Sequence, residues 1–176
     1  MLKRTKDFVD VAARAGKLGC RVPVGIALLP GNFSTSTHRR EFCFHAATPH
    51  VRSAWQSVGL DDEGPALSDR GRRDQRVPVH AHEAGPDAPS ARVPLTIFFG
   101  AALLAGPASC LAVALGIVST VLAFDAGCAS PRDVLCDVVV ERPGSGYACL
   151  EYQGDAYGLV ALAREVREIW AGNQEA

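Results

Sequence analysis

The stretch LTIFFGAALLAGPASCLAVALGIVSTVLAF, from Leu95 to Phe124, decides how the rest of this chain is interpreted. It carries no charged side chain, and the nearest charges are Arg92 before it and Asp125 after it. About 20 apolar residues are enough to cross a hydrocarbon layer of roughly 30 Å. We therefore predict one transmembrane helix within residues 95–124, with its membrane-crossing part beginning near Gly106-Pro107.

A second interpretation places the same stretch in the interior of a soluble α+β protein, which could be an enzyme. A single helix over the whole stretch would be about 45 Å long, which is too long for a small domain to surround. Gly106-Pro107 would then divide residues 95–124 into two buried core helices. We keep this alternative open, with the membrane helix as the main expectation.

Six small residues inside the apolar stretch recur at alternating steps of four and three, which places them on one stripe of a helix. Small residues allow two helices to approach closely. We therefore predict a helix-packing stripe that pairs with a second copy of the chain, as a homodimer, or with a partner membrane helix. The stripe consists of Ala105, Ser109, Ala112, Gly116, Ser119 and Ala123.

The rest of the chain predicts the fold class α+β, beginning with a small helix-strand-strand-helix module over residues 1–60. Apolar residues recur at helical spacing in residues 3–18, and the short apolar run of residues 22–29 predicts a strand. The segment EFCFHA, residues 41–46, predicts a second strand. Thr48-Pro49 is a typical helix start, which predicts the closing helix.

Residues 61–94 contain five prolines and few large apolar residues, which predicts a flexible linker. Residues 125–176 predict a β-hairpin followed by an amphipathic helix. The hairpin strands are Val134–Val140 and Tyr147–Tyr152, on either side of a Pro-Gly turn. The apolar stripe of the helix consists of Leu159, Leu162, Val166 and Ile169.

Charge is divided unevenly, with a net of +4 in residues 1–94 and −5 in residues 95–176. Basic residues tend to stay on the cytoplasmic side of a membrane helix. The arginines between residues 70 and 76 favour a cytoplasmic N-terminus and an outer C-terminal part. This orientation would place Cys136 and Cys149 where a disulfide across the hairpin could form, although the turn does not set them directly opposite.

Catalytic and metal-binding motifs are absent from the sequence. It has no GxSxG, HExxH, Walker or GxGxxG motif. Cys43-x-His45 with His50, and His80-x-His82, supply metal-ligand types, but neither spacing is that of a known site. We therefore predict no catalytic residue, no metal and no cofactor, and we expect no nucleic-acid partner. The predicted function is a single-pass membrane anchor, or an interaction or regulatory module, in contact with the lipid bilayer.

Overall fold

The computed structural model describes residues 2–65, 93–124, 134–144 and 146–172. These ranges contain five β-strands and five α-helices. Two short 3-10 helices, Arg39–Glu41 and Ala156–Ala161, accompany them. In chain order the elements are β1 Leu2–Phe8, α1 Val11–Lys17, β2 Ile26–Leu29, α2 Thr48–Ser57, β3 Leu95–Phe99, α3 Ala101–Leu104, α4 Ala108–Phe124, β4 Val134–Arg142, β5 Gly146–Gly154 and α5 Leu162–Ala171.

The five strands form one mixed sheet in the order β1-β5-β4-β3-β2. The β3–β4 pair is parallel, with Ile97 opposite Val138, and the other three pairs are antiparallel. Two parallel strands need a long crossover connection, and α3 and α4 lie within this one. The two N-terminal strands, β1 and β2, occupy the two edges of the sheet.

The apolar stretch from Leu95 to Phe124 is divided between a strand and two helices. The strand β3 is completely buried between β2 and β4, and α4 has 17 residues, which corresponds to about 25 Å. In the described ranges, no helix combines the length and the apolar character needed to cross a bilayer. The predicted transmembrane helix, the single-pass membrane location and the predicted function as a membrane anchor are therefore wrong.

The physical reason is that a strand buried on both faces has a continuous apolar sequence, and here it leads directly into apolar core helices. Gly100 separates the two kinds of structure. A Cβ atom at this position would lie 2.3 Å from the backbone oxygen of Val24, so only glycine fits. Of our two interpretations, the one that assigns residues 95–124 to the interior of an α+β fold agrees better with the structure.

The predicted arrangement of a separate N-terminal module and C-terminal hairpin is also wrong, because strands from both regions pair in one sheet. Residues 3–18 do not form one helix. Their first part pairs with β5 as β1, and Asp10 then starts α1 by accepting a hydrogen bond from the Ala13 backbone N–H at 2.8 Å. The predicted second strand, residues 41–46, is irregular. The predicted hairpin strands and the predicted amphipathic helix at the end of the chain agree in position with β4, β5 and α5.

Most of the predicted linker, residues 66–92, lies outside the described residues. Its first residues hold the edge strand β2. Glu63 accepts hydrogen bonds from the backbone N–H groups of Val24 and Gly25 at 2.6 and 2.9 Å. The Asp62 carboxylate accepts from the Leu28 N–H at 2.8 Å and pairs with Arg52 at 2.5 Å. The segment 61–65 is thus tied to the sheet.

The two sides of the sheet differ in what covers them. The side covered by α2, α4 and α5, here called the helix face, contains the larger apolar core. At its centre Trp55 is fully buried and donates its indole N–H to the Ala114 carbonyl at 3.1 Å. The opposite side, here called the α1 face, has a smaller core in which Val11 and Ala15 of α1 pack near Phe98 and Val139.

Cys136 lies in the core of the helix face and Cys149 in the core of the α1 face. Both are free thiols. The disulfide considered for the hairpin does not form, because the two side chains point to opposite sides of the sheet.

Candidate functional site

The predicted helix-packing stripe falls on α4, apart from Ala105, which precedes that helix. Ala105, Ser109 and Ala112 are exposed, Gly116 and Ala123 are half-buried, and Ser119 is buried in the core. The structure thus divides the stripe, since its C-terminal part contributes to the monomer's own packing. Pairing through the exposed part stays a prediction.

The histidine and cysteine pairs of the sequence do not come together as a metal site. His45 accepts a hydrogen bond from the Ala47 N–H at 3.0 Å, which is a local structural contact. In the part of the chain that the structure describes, no group of three or more His, Cys, Asp or Glu residues could hold a metal ion. His80, His82 and the basic cluster of residues 70–76 lie outside that part.

A row of polar residues crosses the α1 face and was not identified from the sequence. Strand register places Thr96 opposite Asp137, Asp137 opposite Glu151, and Glu151 opposite Arg4. Directly opposite residues share one face of a sheet. These four residues, here called the polar row, therefore lie side by side across β3, β4, β5 and β1.

The polar row lies beside the apolar residues that α1 covers. Two positions further along the strands, Phe98, Val139 and Cys149 are buried in the core of the α1 face. In contrast, the side chains of Glu151 and Lys6 are 36% and 46% exposed. The α1 face thus has a covered apolar part and a partly open polar part, and Asp137 lies at the boundary between them.

Asp137 is the electrostatically unfavourable member of the row. Burial raises the pKa of its carboxyl above the usual value, and the neighbouring Glu151 carboxylate raises it further, while the charge of Lys6 opposes the change. Among the described residues, Asp137 has no hydrogen-bond or ion-pair partner. A half-buried carboxyl without a partner favours its neutral form.

Glu151, unlike Asp137, has a counter-ion. The Lys6 ammonium donates a hydrogen bond to the Glu151 carboxylate, and this contact raises the pKa of Lys6. Two carboxyl groups therefore face each other across β4 and β5, and only one of them is directly neutralised. Such pairs of titratable groups in different environments are typical of functional sites.

Thr96 adds a buried hydroxyl to the row. The residue is 3% exposed, and its Oγ1 atom has no hydrogen-bond partner in the described part of the chain. Buried hydroxyl groups normally have a partner, and an unpaired one costs stability. Its register neighbour Asp137 is the nearest carboxyl across the β3–β4 pair. A hydroxyl and a carboxyl that both need partners thus lie on adjacent strands.

Cys149 is next to the row but is not suited to nucleophilic chemistry. Burial, followed by repulsion from Asp137, raises the pKa of its thiol to about 12. A thiol of this kind remains protonated near neutral pH and is a poor nucleophile. The titratable group that the row offers is therefore the Asp137 carboxyl, and the adjacent cysteine does not supply an activated thiol.

One signal in the sequence could have pointed to Asp137. It is the single charged residue in VLCDVVV, a strand with otherwise apolar side chains, and charged residues are rarely buried without a reason. Glu151 lies on the other strand of the same hairpin. Thr96 comes from a strand that is distant in the chain, and only the sheet register brings it beside Asp137.

The chain matches no family model, no curated protein and no solved structure. The functional assignment therefore rests on the geometry of the site.

Proposed function

We propose that this protein is a ligand-binding domain whose polar row takes the primary ammonium group of a small molecule, with Asp137 as its counter-ion. The observation that supports this is the half-buried Asp137 carboxyl, which has no partner among the described residues and lies opposite a second carboxylate. A cation placed beside Asp137 would relieve both the repulsion and the cost of burial.

A primary ammonium fits the donor and acceptor pattern of the row. It carries three N–H donors, and Asp137 and Glu151 offer carboxyl oxygens on adjacent strands. A calcium ion fits less well, because it takes about six to eight oxygen ligands, and one of these two carboxyl groups is already paired with Lys6. Lys6 keeps Glu151 in place, so the ligand's ammonium group interacts chiefly with Asp137.

Thr96 would act as a positioning residue in the bound state. A bound ammonium group stabilises the ionised form of Asp137, which is the stronger hydrogen-bond acceptor. The Thr96 hydroxyl, which lacks a partner in the free protein, can then donate to this carboxylate after a small rotation of the Asp137 side chain. Binding would thus satisfy two groups that are unsatisfied in the free protein.

The test is an NMR titration that follows the Asp137 carboxyl carbon while n-butylamine is added. We expect saturable binding that lowers the pKa of Asp137. Asp137→Asn should weaken binding by about tenfold or more, the usual effect of losing one charge-assisted hydrogen bond. Glu168→Gln, at an exposed position of α5, is the matched control and should bind like the wild type.

Tetramethylammonium is the control ligand, because it has the same charge but no N–H donor. The proposal is wrong if wild-type protein does not bind butylamine, if Asp137→Asn binds it equally well, or if tetramethylammonium binds with the same affinity. Circular dichroism and thermal unfolding of each variant separate loss of binding from loss of folding.

A second candidate function is self-association through α4. This helix has 17 residues without a charge, and its surface includes Val113 and Phe124, which are 45% and 85% exposed. A Cβ atom at Gly116 would meet nothing within 4 Å, so there is room for another helix to approach. The predicted small-residue stripe supports the same surface.

Light scattering during gel filtration tests this second candidate. We expect a dimer for the wild type and a monomer for Gly116→Leu, because the larger side chain would prevent close approach of two helices. Ala171→Leu, at an exposed position of α5, should leave the dimer intact. A monomeric wild type, or a dimeric Gly116→Leu, would refute the interface.

A further inference from the structure

A cationic groove lies away from the polar row, between the end of α1 and the 3-10 helix Arg39–Glu41. It has a volume of about 410 Å³ and is lined by Leu18, Thr37, His38, Arg39 and Arg40. Small-molecule sites in proteins usually measure 300–1,000 Å³. The groove is therefore large enough for a small organic molecule, and its lining is basic.

The charges of this groove are not neutralised within the described ranges, where neither Arg39 nor Arg40 forms an ion pair with a carboxylate. Lys17 immediately precedes Leu18 in the chain and Arg21 follows it by three residues, so this segment of the chain carries two further positive charges. A concave surface of one charge sign attracts ligands of the opposite sign.

The acidic residue next to the arginines is directed elsewhere. The Glu41 carboxylate accepts hydrogen bonds from the Thr37 backbone N–H at 2.7 Å, the Thr37 hydroxyl at 2.9 Å and the His38 N–H at 3.2 Å. These contacts, chiefly those from Thr37, hold the pKa of Glu41 below its usual value. Glu41 therefore shapes the turn instead of neutralising the two arginines.

The loop that carries the groove is held in place before any ligand binds. Arg14 donates from Nε to the Phe33 carbonyl at 3.2 Å and also to the Ser36 carbonyl. Asn32 accepts from the Cys43 N–H at 2.9 Å and donates to the Glu41 carbonyl at 2.7 Å, which closes the base of the loop. Such preorganisation lowers the entropic cost of binding.

We propose that this groove is a binding site for the phosphate group of a small molecule, held by Arg39 and Arg40. Guanidinium groups bind phosphate through paired N–H donors, which gives both strength and geometric selectivity. The groove is a short concavity and not an extended stripe, which fits a mononucleotide-sized ligand and does not fit a nucleic-acid strand.

Isothermal titration calorimetry with inorganic pyrophosphate and with ADP tests this site. We expect saturable binding with one site per chain at physiological salt. Arg39→Ala and Arg40→Ala should each weaken it by about tenfold or more. Arg40→Lys should recover only part of the affinity, because a lysine keeps the charge but loses the paired donors.

Arg164→Ala is the matched control, since Arg164 is an exposed arginine of α5 that pairs with Glu168 at 3.6 Å, and it should bind like the wild type. Several results would overturn the proposal: no binding by the wild type, an equal loss in Arg164→Ala, or full affinity in Arg40→Ala. An affinity for single-stranded oligonucleotides that rises with their length and exceeds that for ADP would also overturn it. Because this site and the Asp137 site share no residue, each can fail independently.

Discussion

The two faces of the sheet are formed by alternate residues of the same strands, and they differ in what they do. The helix face buries Trp55 together with apolar side chains of α2, α4 and α5. The α1 face buries a smaller cluster and carries a row that includes one uncompensated carboxyl and one unpaired hydroxyl. The helix face thus supplies stability, while the α1 face contains groups that lower stability, as functional sites commonly do.

Trp55→Ala should have the largest effect and would test the role assigned to the helix face. Removing a fully buried tryptophan leaves a large cavity and deprives the Ala114 carbonyl of its donor. We expect the free energy of unfolding to fall by roughly 3–5 kcal/mol, measured by urea denaturation. Tyr157→Ala, at a residue that is 68% exposed, should change it by less than about 0.5 kcal/mol. If both variants lost a similar amount of unfolding free energy, the helix face would not be the main source of stability.

Asp62→Ala tests the segment that secures β2, the edge strand shared by both faces. The substitution removes the partner of Arg52 and the acceptor for the backbone N–H groups of Leu28 and Gly64. We expect a loss of about 2–4 kcal/mol, since a partly buried ion pair and two hydrogen bonds are broken. The adjacent Asp61 is exposed, so Asp61→Ala should be nearly neutral in the same thermal or urea unfolding assay. An equal effect of the two substitutions would show that the segment does not hold β2.

Asp137→Asn should act in the opposite direction, because it removes an unfavourable charge from the α1 face. The folded-state pKa of Asp137 is raised, so the folded protein binds this proton more tightly than the unfolded chain. Stability is therefore lost as the pH rises through the raised pKa, and the cost is fully present above it. We expect Asp137→Asn to raise the free energy of unfolding at neutral pH by an amount on the order of 1 kcal/mol.

The measurement for Asp137 is urea unfolding as a function of pH. The advantage of Asp137→Asn over the wild type should shrink as the pH falls below the raised pKa, where the wild-type carboxyl is protonated. Glu168→Gln, on the exposed surface of α5, should show no such trend. A variant less stable than the wild type at neutral pH would mean that the Asp137 carboxylate contributes to folding.

Thr96→Val should have the smallest effect on stability and the most specific effect on function. Valine has nearly the same shape and removes a buried hydroxyl that lacks a partner, so we expect a gain of about 0.5–1 kcal/mol. In the butylamine titration the same variant should bind more weakly than the wild type. If the variant is more stable but binds butylamine as tightly as the wild type does, Thr96 is not part of the ligand site.

Elements with strong local signals could be predicted from the sequence. The Thr48-Pro49 start, the Pro143-Gly144 turn and the apolar stripe of the last helix all correspond to observed elements. The first strand could not be predicted, because LKRTKDF carries four charged residues. Such a composition is typical of a protected edge strand, but it indicates a strand only when its partner β5 is known.

The candidate sites were less accessible to prediction than the fold. In the polar row, only Asp137 and Glu151 belong to one predicted hairpin. Residues 4 and 96 come from strands that no local spacing relates to it. The cationic groove depends on the turn in which Thr37 and His38 hold Glu41. Within the described ranges this leaves Arg39 and Arg40 without an ion pair. Both sites arise from contacts between distant segments or from side-chain geometry, and neither leaves a motif.

The sequence by itself determined a break in the apolar stretch at Gly106-Pro107, because proline fixes φ and lacks the backbone N–H that a continuing helix needs. It also determined the hairpin between β4 and β5. Only the tertiary structure decided that Leu95–Phe99 is a buried strand and that Asp137 faces Thr96 across the parallel β3–β4 pair. An apolar run is equally compatible with a membrane-spanning helix, a buried core helix and a central strand of a sheet. The choice among them depends on which distant strands supply the hydrogen-bond partners.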